Sequence, residues 1–235
     1  MPARWGPNRL KSVPGSDRPA ESKVLLIHGA ATTARIWAGV RQFLPRVSVL
    51  APQRPCSGDL ATELAALRPL TAGALVMGVG GGATLALALA AEPSAATGFL
   101  LHEPAVGSLV PGLLAPLGEA LRSGGVTAFG AVLYGKSWQP EMAPSTEAVI
   151  RDFEMFRAFE PPLPDPGHRV VFTTVGEYSP PIRLQAAQEL TRQRGIAHFV
   201  LPRCAHSIHL DHPHFTARLI MEALAGRLPH PDLRP

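Results

Sequence analysis

Ala74-Leu75-Val76-Met77-Gly78-Val79-Gly80-Gly81-Gly82-Ala83-Thr84-Leu85-Ala86-Leu87-Ala88-Leu89 is the most apolar stretch of this chain. Its opening residues suit a buried strand, its closing Ala/Leu run suits a helix, and the glycines between them suit a sharp strand-to-helix turn. The uncharged segment 72–91 is long enough to cross a bilayer, but four glycines interrupt its middle. A parallel strand covered on both faces, followed by a buried helix, accounts for that pattern. We therefore expect no membrane partner.

The same rhythm of short apolar runs and helical patterns continues on both sides, as βα units demand. Strands are expected over 23–28, 47–51, 74–79, 98–102, 169–175 and 198–201. Helices are expected over 34–44, 59–67, 81–91, 182–194 and 214–225. The fold class is then α/β, a doubly wound and mostly parallel sheet whose functional loops lie at the strand carboxyl ends. With 235 residues and 46% hydrophobic content, the economical reading is one domain spanning 1–235. The strand rhythm stops over 105–166, which reads as a helical cap insertion roofing part of the sheet edge. Val149, Phe153 and Phe156 recur there at helical spacing, with Met155 and Phe159 close by. That face is expected to pack on the core rather than to touch a substrate.

The net charge of +4 is carried by scattered Lys and Arg, with neither a basic run nor an aromatic ladder, so no nucleic-acid partner is expected. Cys56 and Cys204, the only cysteines, form no Cys-x-x-Cys pair and read as free thiols of a reducing compartment. Pro2, Pro7, Pro14 and Pro19 punctuate an opening segment without an apolar core, so we expect a cytoplasmic protein. The Pro-rich segment 229–235 reads as a loose tail.

Four pieces, in this order, carry a resemblance to the α/β-hydrolase fold family. His28-Gly29 ends the first strand and is followed by Trp37; Gly78 to Gly82 stands where Gly-x-Ser-x-Gly is expected. Leu101-His102-Glu103-Pro104 ends the next strand. Leu201-Pro202-Arg203-Cys204-Ala205-His206, with His209-Leu210-Asp211-His212-Pro213 after it, ends the last. The chain resembles an atypical member that lacks the nucleophilic serine, because residue 80 is glycine. The resemblance implies an oxyanion hole from the backbone amides of Ala30 and Gly81, a catalytic histidine at His206, and a pocket bordered by Gly29, Val79 and Trp37. The acid that orients His206 is Glu103 or Glu177, and Glu103 is favoured because it directly ends a strand. A carboxylate at that position also reads as a helix cap.

Gly78-x-Gly80-x-x-Ala83 with Glu103 downstream also fits a dinucleotide fingerprint, but two βα units precede it and the His-Gly and His206 motifs would stand idle. The segment holding His206, His209, Asp211, His212 and His214 finds no complementary ligand cluster elsewhere, so no metal is expected. Cys204 reads as packing; Cys56 lies nearer the pocket rim, with nothing to orient a base toward it. No cofactor is called for.

A histidine base with a backbone oxyanion hole suits proton removal next to a carbonyl, as in an epimerase, isomerase or cyclase, on a small-molecule or peptide substrate. The resemblance permits this, since the family includes serine-less members with non-hydrolytic chemistry. Glycine at residue 80 is expected to leave room for a bulky ligand. The alternatives are hydrolysis by a His206-activated water, a ligand-binding protein without turnover, and an esterase silenced at Gly80 that Gly80→Ser would restore.

Overall fold

A computed structural model describes residues 22–168, 170–229 and 234–235. The Pro-rich opening segment and most of the expected tail lie outside them. Among the described residues six strands form one parallel sheet: β1 (Lys23–Ile27), β2 (Ser48–Leu50), β3 (Ala74–Val79), β4 (Gly98–His102), β5 (Val171–Gly176) and β6 (Ala197–Leu201). Their order is β2-β1-β3-β4-β5-β6. The expected α/β class and parallel sheet are therefore present.

Alternation at period two divides the sheet between two cores. Leu25, Ile27, Val76 and Leu101 face one layer, which contains α2 (Leu60–Leu67), α3 (Gly81–Leu89) and α6 (Pro181–Arg194). Val24, Leu26, Leu75, Met77 and Leu100 face the other, made of α1 (Ala38–Arg41) and α8 (Pro213–Leu224). The uncharged stretch is strand and helix, and among the described residues no helix is long and apolar enough to cross a membrane.

Register decides where the chemistry collects. Ile27 pairs with Gly78, Val79 with His102, and Gly176 with Leu201, so the strand ends fall along one edge. The residues just beyond them, from five separate strands, meet there. Gly82 brings α3 unusually close to β1: a Cβ at this position would stand 2.0 Å from the Ile27 carbonyl oxygen.

One expected helix differs and one helix is additional. The segment 34–44 is a 3-10 turn (Ala34–Trp37) followed by the short α1, because Pro45 biases the chain before it away from helix. A further short helix, α7 (Ile208–Asp211), precedes α8. Between β4 and β5 the chain forms α4 (Ala115–Tyr134), interrupted at Gly124 and Gly125, and then α5 (Thr146–Arg157).

Candidate active site

The loop after β1 is held by its carbonyls. Arg54 Nε donates to His28 O at 2.9 Å, and Thr32 Oγ1 donates to Gly29 O at 2.9 Å. Tyr134 Oη donates to Ala30 O at 2.9 Å, and Trp138 Nε1 donates to Ala31 O at 2.8 Å. Four consecutive carbonyls are thus fixed by side chains, one from the loop itself and three from other parts of the chain, two of these from the insertion. Ala31 takes φ +54°, a conformation disfavoured for a residue with a Cβ, and these bonds hold it there. Preorganisation of this kind suits a loop whose amides must point at developing charge.

Gly80 forms the turn between β3 and α3 with φ +56° and ψ −118°. Its N–H donates to His102 O at 2.9 Å, and its carbonyl accepts from Thr84 N at 2.9 Å and Thr84 Oγ1 at 3.1 Å. Thr84 Oγ1 in turn accepts from Ala105 N at 2.9 Å, which ties the turn to the chain after β4. The amides of Ala30 and Gly81 have no protein acceptor among the described residues. Both residues line one small cavity, as the oxyanion-hole expectation requires of them.

His206 lies in the loop after β6, and that loop is pinned where His102 Nε2 donates to Ala205 O at 3.2 Å. His206 Nδ1 is 2.8 Å from Glu103 Oε2. Glu103 Oε1 accepts from Gly176 N at 2.9 Å and from Ser179 Oγ. Burial opposes ionisation of Glu103, but His102, the hydrogen bond from His206 and Arg183 together hold its carboxyl well below the usual carboxylate range. An ionised carboxylate only accepts, so Nδ1 carries the imidazole proton and Nε2 presents its lone pair. Burial lowers the pKa of His206, against the raising effect of its bond to Glu103, and favours that neutral form.

Nε2 itself is buried without a hydrogen-bond partner. It points at the bare turn: a Cβ built on Gly80 would stand 2.8 Å from Nε2 and 3.0 Å from Cε1. The imidazole thus abuts space that a residue-80 side chain would occupy.

The cavity bordered by Ala30, Gly80, Gly81, Glu103 and Arg183 measures about 30 Å³, enough for about one water. Phe156 covers it, since a Cβ on Gly81 would lie 2.4 Å from the Phe156 ring. Beyond Leu114, Phe153 and Phe156, which line both spaces, an outer cleft of about 430 Å³ runs between α4 and α5. The roomy chamber expected from glycine at residue 80 is absent in this conformation, because cap aromatics fill it. The α5 face does more than pack on the core: Phe153 and Phe156 separate the two cavities.

Several expected residues sit elsewhere. Glu177 is exposed and accepts from Arg203 N at 2.6 Å, away from His206. Gly29, Val79 and Trp37 line neither cavity. A Cβ on Gly29 would lie 2.8 Å from the Tyr134 hydroxyl, which covers it, and Val79 belongs to the opposite core. Trp37 is turned inward by its 3-10 turn and packs 4.9 Å from the His209 ring. Cys56 is not at a rim. It is buried beside Arg54 and Asp152, and burial, partly offset by Arg54, pushes its thiol up to about 11. Cys204 is buried in the core, as expected. Glu103, which a dinucleotide would need against a ribose, is buried beneath His206. Among the described residues, no three His, Cys, Asp or Glu converge as a metal site.

Sequence reasoning missed Tyr134, Trp138, Arg54 and Arg183. A charged residue in an otherwise apolar or loop context was the available signal for Arg54 and Arg183; Tyr134 and Trp138 carried none.

The geometry agrees with comparison to known proteins. No curated protein matches the chain by sequence. Among solved structures, it is similar to a lipase-esterase related protein from Clostridium acetobutylicum ATCC 824, with a TM-score of 0.69, 9% identity, and coverage of 86% of this chain and 94% of that one. The enol-lactonase from Burkholderia xenovorans LB400 gives 0.64 and 17%, with coverage of 90% and 94%. The RedJ thioesterase of the prodiginine biosynthetic pathway in Streptomyces coelicolor gives 0.63 and 16%, with coverage of 92% and 96%. At these identities the likeness is one of fold. The model of the alpha/beta hydrolase family matches residues 24–219, and with that match spanning the sheet and the site this chain belongs to the alpha/beta hydrolase family.

Proposed function

We propose that this protein is an enzyme that removes a proton next to a substrate carbonyl, with His206 as the base and the amides of Ala30 and Gly81 holding the enolate oxygen. One observation carries the reading: His206 Nε2 is buried, unpartnered and directed at a turn that has no side chain. In a hydrolase with a serine there, that nitrogen would serve the hydroxyl; here it addresses whatever lies over Gly80. Glu103 orients the ring and stabilises the imidazolium that forms, and no covalent intermediate on residue 80 is involved. Return of the proton to the other face, or to another carbon, gives epimerisation or isomerisation. Access requires Phe156 to yield, since the cavity in its present form admits little more than water.

The test is solvent exchange in D₂O, followed by proton NMR, on 2-oxobutyrate, its methyl ester and a phenylacetyl thioester. Loss of the α C–H signal above the buffer rate, abolished in His206→Gln, is the expected result. Because the base must be neutral and its pKa is lowered, kcat/KM is expected to rise with pH to a plateau with its midpoint below 6.5. No exchange on any of the three compounds overturns the reading.

Hydrolysis by water is the second reading, favoured by a cavity of about 30 Å³ that fits a single water beside Gly80. It predicts release of p-nitrophenolate from p-nitrophenyl acetate, lost in the same variant.

A further inference from the structure

Among the described residues two arginines are buried, and they are satisfied to different degrees. Arg54 is saturated: its guanidinium meets Glu63 at 2.8 Å and Asp152 at 2.7 Å, and Nε donates to His28 O at 2.9 Å. Arg183, in the first turn of α6, is 9% exposed and carries the same five donors. Among the described residues its one hydrogen bond is from Nη1 to the Glu103 carbonyl, at 3.3 Å. Nε lies 3.7 Å from Glu103 Oε2, too far for a direct bond.

A guanidinium evolved to serve as the counter-ion of Glu103 would fork onto the carboxylate at about 2.7–2.9 Å. Glu103 Oε1 is filled by Gly176 N and Ser179 Oγ, and Oε2, which accepts from His206, keeps a lone pair that Arg183 does not come close enough to use. Arg183 also lines the cavity that holds Ala30, Gly80 and Gly81. Its remaining donors have no protein partner among the described residues and stand on the wall of the chamber where the reacting carbonyl would sit, open to an incoming anion.

We propose that Arg183 receives a carboxylate of the substrate, so that the compound transformed is an oxo acid, with its carboxylate a few bonds at most from the carbonyl, and not a neutral ester or ketone. The inference rests on the proton-abstraction reading for what happens at the carbonyl, but the anion site itself does not. The cavity limits what can enter without movement of Phe156, and a planar carboxylate is the smallest group that matches the fork of donors.

Two measurements separate the claims. Formate is titrated into protein carrying ¹⁵N-arginine, at constant ionic strength set with chloride, with formamide as the neutral control. The Arg183 Nε–H signal is expected to shift saturably with formate and not with formamide. In Arg183→Met the response of the His206 ring signals to formate is expected to vanish, and in Arg183→Lys to weaken. Then kcat/KM for α-proton exchange is compared between 2-oxobutyrate and its methyl ester. The wild type should prefer the acid on the order of 10- to 100-fold, and Arg183→Met should bring the ratio close to one.

Saturable, Arg183-dependent formate binding without exchange on either compound supports the anion site while the proton-abstraction reading fails. Equal exchange on acid and ester, with no formate response, overturns the anion site and leaves the base. Equal loss on both compounds in Arg183→Met, with a displaced pH profile, also overturns it and makes Arg183 a positioning residue for Glu103.

Discussion

Gly80 and His206 compete for the same few ångströms. The turn holds φ +56° and ψ −118°, so any side chain there is strained, and its Cβ would press within 2.8 Å of Nε2 on a ring fixed from behind by Glu103. Restoring the missing hydroxyl is therefore not a simple repair. Gly80→Ser is expected to lower stability by about 1–3 kcal/mol, read from urea denaturation, and to leave p-nitrophenyl acetate turnover at the wild-type level. A hundredfold gain in esterase rate would show that the imidazole retreats freely and that glycine had merely silenced an ordinary enzyme. At this scale the positions of His206, Glu103, Ala30 and Gly81 at the strand carboxyl ends were legible, because strand ends can be read from apolar runs. Glu103 was preferred over Glu177 for its place at the end of a strand; that it takes φ +50° there is what no residue pattern announces.

The insertion is where element-scale packing shapes the site. Its α4 ends at Tyr134, which with Trp138 grips the loop after β1, and α5 delivers Phe153 and Phe156 to the cavity wall and Asp152 to Arg54. Asp152 binds Arg54 at 2.7 Å in full burial, so α5, α2 and the loop after β2 share one charge cluster, and Arg54 also donates to the loop after β1. Asp152→Ala leaves the Arg54 cation short of a partner, and we expect a loss of about 3–5 kcal/mol in urea denaturation. The drop should exceed that of Glu154→Ala one turn face away, whose exposed pair with Arg157 contributes little. The apolar periodicity of Val149, Phe153 and Phe156 revealed the helix, and Asp152 between them was the legible hint that its buried face is not wholly hydrophobic. That its partner would be Arg54, 98 residues earlier, depends on how the insertion folds back over the sheet, which local pattern does not encode.

Across the described residues four histidines are buried, His28, His102, His206 and His209, along the strand carboxyl ends, a consequence of a parallel sheet whose loops all leave from one edge. That sheet was readable throughout, since each strand is an apolar run closed by glycine, proline or a polar residue; the joint effect of its loops on charge was not. Burial, with Arg54 adding to it, lowers the pKa of His28 to about 3, and burial lowers that of His102 to about 4 against the raising effect of Glu103. His206 and His209 are lowered as well. In the unfolded chain each returns to 6.5. Above that pH neither state binds the extra proton, and below it the unfolded chain binds first, so folding weakens as pH falls until the folded pKa is reached. At pH 5 this amounts to about 2 kcal/mol for each of His28 and His102, so about 4 kcal/mol from the two. Glu103, held below its unfolded 4.5, adds to the loss only under that pH. At the alkaline end Cys56 and Cys204, raised to about 11 and about 12 from 9.0, weaken folding as the unfolded thiols ionise above pH 9. Urea denaturation is thus expected to give a plateau between pH 7 and 8.5, a fall of several kcal/mol by pH 5, and a gentler decline beyond pH 9. Stability that stays level from pH 7 to 5 would mean that these imidazoles reach water in the folded state, and the closed, water-poor edge on which the proposal for His206 relies would be lost with it.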